Sequence, residues 1–303
     1  MQHIKIAVVG DVHDHWNEYD AQALEFLQVD LVLFVGDFGN ESLPVVRSVA
    51  ELPMPKAVIL GNHDAWFTAT PWGTKKAPYD HHSEDRVQKQ LNLLDIAHVG
   101  YGYLDFPELK ISVVGARPFS WGGSQWKCAE FYQERYGVNN FAESTAKIMA
   151  SVAQTKYDHL IFIGHNGPFG LGDQPEDICG RDWNPLGGDF GDPDFRDAIA
   201  FSRELGKQIS LVTFGHMHHA LRHTRKRLRT IINEDEQQTV YLNAAATPRI
   251  EEKDGEQIHK FSLVDFDEGK INNIELISIT EKMEINNREK LFNDFGVFNE
   301  IFY

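Results

Sequence analysis

Fourteen histidines stand in this 303-residue chain, and those placed for chemistry sit beside Gly, Asp and Asn. Five short blocks carry them: Gly10-Asp11-Val12-His13, Gly36-Asp37, Gly61-Asn62-His63-Asp64, Gly164-His165-Asn166 and Gly215-His216-Met217-His218. Carboxylate oxygen, imidazole nitrogen and amide oxygen are intermediate-to-hard donors that suit Mn, Fe or Zn, and no thiolate belongs to the set. A Ca site would carry more carboxylates and no His. Two divalent ions about 3.5–4 Å apart, bridged by a carboxylate, form a clamp for in-line displacement at phosphorus. Set against Asp11, Asp37 and a bridging hydroxide, two such ions leave the site positive, so an acidic chain can still attract a phosphate ester.

The elements that must position these side chains are short apolar runs. Residues 4–9, 31–35, 57–60, 160–163 and 211–214 each lead into one block, and 111–114 is a sixth run of the same kind. They are rich in Val, Ile and Phe and each stops at Gly, the pattern of sheet strands buried on both faces. In an open α/β sheet, functional groups gather beyond the carboxyl ends of the strands, so five such ends can share one crevice. Amphipathic spacing predicts helices over 16–28, 140–154 and 194–205. After Gly215 the pattern changes, and 239–243, 258–265 and 271–279 read as successive antiparallel strands, the last two joined at Asp267-Glu268-Gly269.

Composition narrows the partners. A formal charge of −16 repels a phosphate backbone, which argues against nucleic acid and against an anionic membrane surface. Two cysteines cannot build a disulfide framework. No run approaches the ~18 apolar residues of a membrane span, and the N-terminus lacks the pattern of a secretory signal. The expectation is a soluble, cytoplasmic protein of one domain over 1–303, with long loops at 65–85 and 166–193. The tail, 282–303, is aromatic (Phe292, Phe295, Phe298, Phe302, Tyr303). It either docks on its own fold or forms a homodimer contact.

Taken together, the five blocks resemble the calcineurin-like metallophosphoesterase family, from the N-terminus to about Asn243. The resemblance implies an α/β fold: a two-sheet β-sandwich flanked by helices in four layers, with a dinuclear site at one edge. It implies that Asp11, His13 and His218 bind one metal, that Asn62, His165 and His216 bind the other, and that Asp37 and a hydroxide bridge them. A metal-bound hydroxide would attack phosphorus opposite the leaving oxygen. His63 falls where the family places a group that protonates that oxygen or steadies the transition state, with Asp64 expected to orient the imidazole and hold it protonated. The chain departs from the phosphoprotein phosphatases, whose second block runs into Asp-Arg-Gly; here it reads Asp37-Phe38-Gly39-Asn40-Glu41. It departs from the lipid-sugar pyrophosphatases too, with Ala65-Trp66 where those carry Arg. The expected substrate is therefore a small soluble phosphodiester, phosphomonoester or nucleotide; the alternatives are a scaffold on the same fold, or a nuclease. Arg117 is a candidate contact for substrate. Trp66, Trp121 and Trp183 either line the mouth or pin the loops. The basic run 222–229 reads either as an anion-attracting rim or as a charge-protected edge strand.

Overall fold

A computed structural model describes residues 3–224, 227–267, 269–293 and 296–297. Strands are numbered along the chain. One mixed sheet holds β1 (Ile4–Val9), β2 (Leu31–Phe34), β3 (Lys56–Val58), β10 (Ile250–Lys253), β11 (Glu256–Asp267), β12 (Lys270–Thr280), β13 (Ile285–Asn293) and β14 (Gly296–Val297). Its path is β14-β13-β12-β11-β1-β2-β3, with β10 on β11; β1, β2 and β3 run parallel. The second sheet runs β4 (Tyr103–Phe106), β5 (Ile111–Gly115), β6 (His159–Ile163), β7 (Gln208–Phe214), β9 (Val240–Asn243), β8 (Ile232–Glu234).

The central strands β1, β2, β5, β6 and β7 are apolar almost throughout because both of their faces are covered, whereas β10 and most of β13 are polar and exposed. Alternate residues divide the work. Ile4, Ile6, Val8, Leu31 and Leu33 pack towards Val113, Ile161, Ile163 and Leu211 of the other sheet. Ala7, Val9, Val32 and Phe34 turn the other way, onto α1 (Glu18–Leu27) and α2 (Leu43–Ala50). Beyond the second sheet, Val114, Phe162 and Phe214 meet α7 (Phe141–Val152) and α8 (Pro193–Glu204). The layers are thus helix, sheet, sheet, helix, the two-sheet architecture expected. No helix among the described residues is long and apolar enough to cross a membrane.

Two expectations are corrected, and a third, the tail, is met in part. The strand at 239–243 does not open an antiparallel series: β9 lies parallel to β7, and the chain crosses to the first sheet before β11 pairs antiparallel with β1. Segment 65–85 is not without structure, since it holds α3 (Trp66–Ala69) and α4 (Pro71–Thr74), the latter started by Pro71 and capped by Thr70 Oγ1, which accepts from Gly73 N at 2.8 Å. Charged helices α5 (Arg86–Leu94) and α6 (Ala129–Tyr136) follow it. The tail begins as a strand: β13 pairs with β12 and buries Leu291 and Phe292 between the sheets. Phe295, Phe298, Phe302 and Tyr303, on which a homodimer contact would rest, lie outside the described residues.

Candidate metal centre

The ends of β1, β2, β3, β6 and β7 deliver all five blocks to one place. Glycine ends the strands there because the donors leave no room for a side chain. A Cβ on Gly61 would stand 2.3 Å from Asp37 Oδ1, and one on Gly215 would stand 2.2 Å from Asp11 Oδ2. The donors themselves bend sharply: Asp11, His13, Asp37 and His216 have φ between 45° and 65°. That left-handed backbone costs about 1 kcal/mol per residue and is characteristic of functional sites.

Three groups of donor atoms result, each within 4.8 Å of one another: Asp11, His13 and His218; Asp37, His165 and His216; and His13, Asp37 and His63. In the first, His13 Nε2 and His218 Nε2 are 3.2 Å apart, and His218 Nε2 is 3.3 Å from Asp11 Oδ1. In the second, Asn62 Oδ1 lies 2.9 Å from both His165 Nε2 and His216 Nδ1. Asp37 stands between the groups, its Oδ1 3.2 Å from His165 Nε2 and its Oδ2 3.9 Å from His13 Nε2.

The donor set fits a cation. His165 Nδ1 is 2.8 Å from Val35 O, and donating there leaves Nε2 as a lone pair facing the Asn62 and Asp37 oxygens. Three acceptors then converge with no hydrogen between them. In a cation's absence a proton takes that place: burial opposes it, but the Asp37 carboxylate lifts His165 to about 9. Against the same burial, His165 holds Asp37 far below the usual carboxylate range, and His218 lowers Asp11. Burial, with His165 alongside, presses His216 well down.

The partner of His63 is Asn40, which lies 2.7 Å from Nδ1 at Oδ1. The imidazole also stacks on Trp66, with centroids 4.9 Å apart at 14°. Asp64 does not touch it: that carboxylate is buried and accepts from the backbone N–H of Asp37, Phe38 and Gly61 at 2.7–2.9 Å. Nor is His63 held protonated, because burial lowers its pKa despite Asp37. Asn40 was missed, although its place three residues beyond Asp37 was the available signal.

Arg117 is not at the cavity. It is 2% exposed, donating from Nε to Asp194 and from an Nη to Asp192 at 2.8 Å each, so its substrate role gives way to a buried ion pair. Among the described residues of the basic run there is no strand: 222–224 is a turn, and Leu228 makes only an isolated bridge to Ala220. Arg229 points inward, 2% exposed, and donates to the carbonyls of Pro175, Asp177 and Gly180. This pins the 166–193 loop, which has isolated bridges but no helix or strand before α8 begins at Pro193. Trp66, Trp121 and Trp183 do line the mouth, joined by Phe190, Lys127 and Arg222.

Fold and donor set define a two-sheet metallohydrolase. Residues 4–220 match the family model described as calcineurin-like phosphoesterase, and the chain belongs to that family, a class of metal-dependent phosphoester hydrolases. Among curated proteins none matches. One solved structure superposes with a TM-score of 0.53 at 12% identity, covering 91% of this chain and 99% of its own. The protein TT1561 of Thermus thermophilus gives 0.49 at 12%, covering 92% and 100%. Purple acid phosphatase PPD1 from yellow lupin seeds gives 0.46 at 13%, covering 95% and 53%. At 12% identity the first of these, with its TM-score of 0.53, speaks for the fold alone.

Proposed function

We propose that this protein hydrolyses a small soluble phosphate ester at a pair of divalent ions, Mn, Fe or Zn. Asp11, His13 and His218 would hold one ion, Asn62, His165 and His216 the other, and Asp37 both. The carrying observation is the convergence of Asp37, His165 and His216 on one point, with Asn62 Oδ1 2.9 Å from both imidazoles. When bound, such ions supply a nucleophile at neutral pH and screen the phosphate oxygens. The chain's own part is orientation and proton delivery. With Nδ1–H donated to Asn40, His63 would deliver a proton from Nε2 to the leaving oxygen only in its doubly protonated form, its neutral form presenting Nε2 there as an acceptor. Asp64 acts at one remove, fixing the backbone of Asp37 and Gly61.

The test is metal analysis of protein purified without chelator, then Mn-dependent hydrolysis of a chromogenic phosphodiester. Asp37→Asn should lose both ions. His63→Ala should keep them while turnover falls about 10²-fold or more. Two ions bound with no turnover on diesters, monoesters or pyrophosphates would mark a scaffold instead.

A further inference from the structure

The cavity over the donors measures about 420 Å³, and four aromatic rings, Trp66, Trp121, Trp183 and Phe190, stand in its wall beside Lys127, Asp182 and Arg222. Trp66, stacked on His63, tilts 31° against Trp121 at 5.2 Å. A second series runs from Trp183, edge-on to Phe190 at 4.7 Å, to His216, which lies parallel to Phe190 at 6.2 Å. Trp66, Trp121, Trp183 and Phe190 come from three separate segments, and none of these four side chains belongs to any of the three hydrophobic core clusters among the described residues. Anchoring loops in the core does not account for them. Cations lie over two of the rings: Lys127 Nζ is 4.4 Å from the Phe190 centroid, and the Arg222 guanidinium is 5.3 Å from that of Trp183. Trp121 Nε1 is buried and meets no acceptor among the described residues.

A hydrated, ringless alcohol would gain little from such walls. A planar heteroaromatic ring would recover the apolar indole surface and stack on it. The volume suits one small ligand, and the strongly acidic chain disfavours a polynucleotide track.

We infer that Trp121, Trp183 and their neighbours form a base-binding subsite, and that the substrate is a mononucleotide-sized phosphate ester. This narrows, and rests on, the phosphoesterase reading above. The experiment titrates Mn-loaded protein with adenosine 5′-monophosphate, ribose 5-phosphate and phenyl phosphate, following tryptophan emission and heat, with released phosphate measured separately. The nucleotide should bind about five- to a hundredfold more tightly than ribose 5-phosphate and quench emission. Trp183→Ala and Trp121→Ala should each cut that ratio, and Trp183→Phe should retain most of it. Equal wild-type affinities for nucleotide and ribose 5-phosphate would overturn the subsite, whether or not the variants fold. Phenyl phosphate binding as tightly as the nucleotide would overturn the nucleoside assignment, and so would a single-stranded tetranucleotide binding more tightly. Absence of phosphate release from these three monoesters would count against monoester hydrolysis, not against the ring preference.

Discussion

At Arg117 a charge that looks available for substrate has been spent inside the protein. Asp192 and Asp194 hold its guanidinium, Trp126 lies against it at 5.1 Å, and burial pushes Asp192 up to about 6 even with that arginine beside it. Removing the arginine would strand two buried carboxylates, which costs far more than an exposed ion pair is worth. Arg117→Ala should therefore lose about 3–5 kcal/mol in urea unfolding, while the folded fraction keeps its KM. Unchanged stability with a tenfold higher KM would return Arg117 to the substrate. The same scale shows what sequence can carry. The donor positions were readable because strand, glycine and donor follow one another locally. The partner of His63 was not: residues 63–65 form a 3₁₀ turn, whose successive side chains diverge by about a third of a turn. Asp64 thus points away from the imidazole, and the partner comes from another strand end.

Between elements, the tie least visible in the sequence joins α1 to β11. Asp20 closes the capping box with Asn17, accepting from its backbone N–H at 2.8 Å. It also receives Arg249 and, at 2.7 Å, His259 Nδ1. Arg249 reaches on to His15 O at 2.9 Å, steadying the turn that carries His13. Burial alone would raise the Asp20 pKa, but Arg249 and His259 bring it below its ordinary 3.8. A depressed folded pKa means stability that is present above the unfolded value and lost as pH falls through the folded one. Asp20→Asn should cost about 3 kcal/mol at pH 7, a gap that narrows as pH drops below about 4. Urea unfolding of both proteins at pH 7, 5 and 3 measures it, and a gap independent of pH would refute the ion-pair origin. The β11–β12 hairpin could be read from its turn residues, since the chemistry of a tight turn is local. The direction of β9 could not, because it depends on where the chain changes sheets.

For the molecule as a whole, the donor groups are a seam between the two sheets. Asp11, Asp37 and Asn62 leave β1, β2 and β3, whereas His165, His216 and His218 leave β6 and β7, and each three-donor group proposed for an ion draws on both sheets. A cation seated there would bind the folded chain and not the unfolded one, because unfolding separates residues 11 and 218, or 37 and 216. Stripping the protein with a chelator should lower its melting temperature, and Mn at about 100 times its Kd should restore about 2.7 kcal/mol for one site. For a chain of this size that is a rise of about 4 °C in scanning calorimetry. Asp37→Asn should melt at the same temperature with and without Mn, since its carboxylate is the one shared between the groups. Were wild-type melting indifferent to Mn and to other divalent ions alike, the convergent acceptors at Asn62, His165 and Asp37 would have to be satisfied by the His165 proton alone. In that case the two sheets would meet at a hydrogen-bonded seam with no metal to complete it.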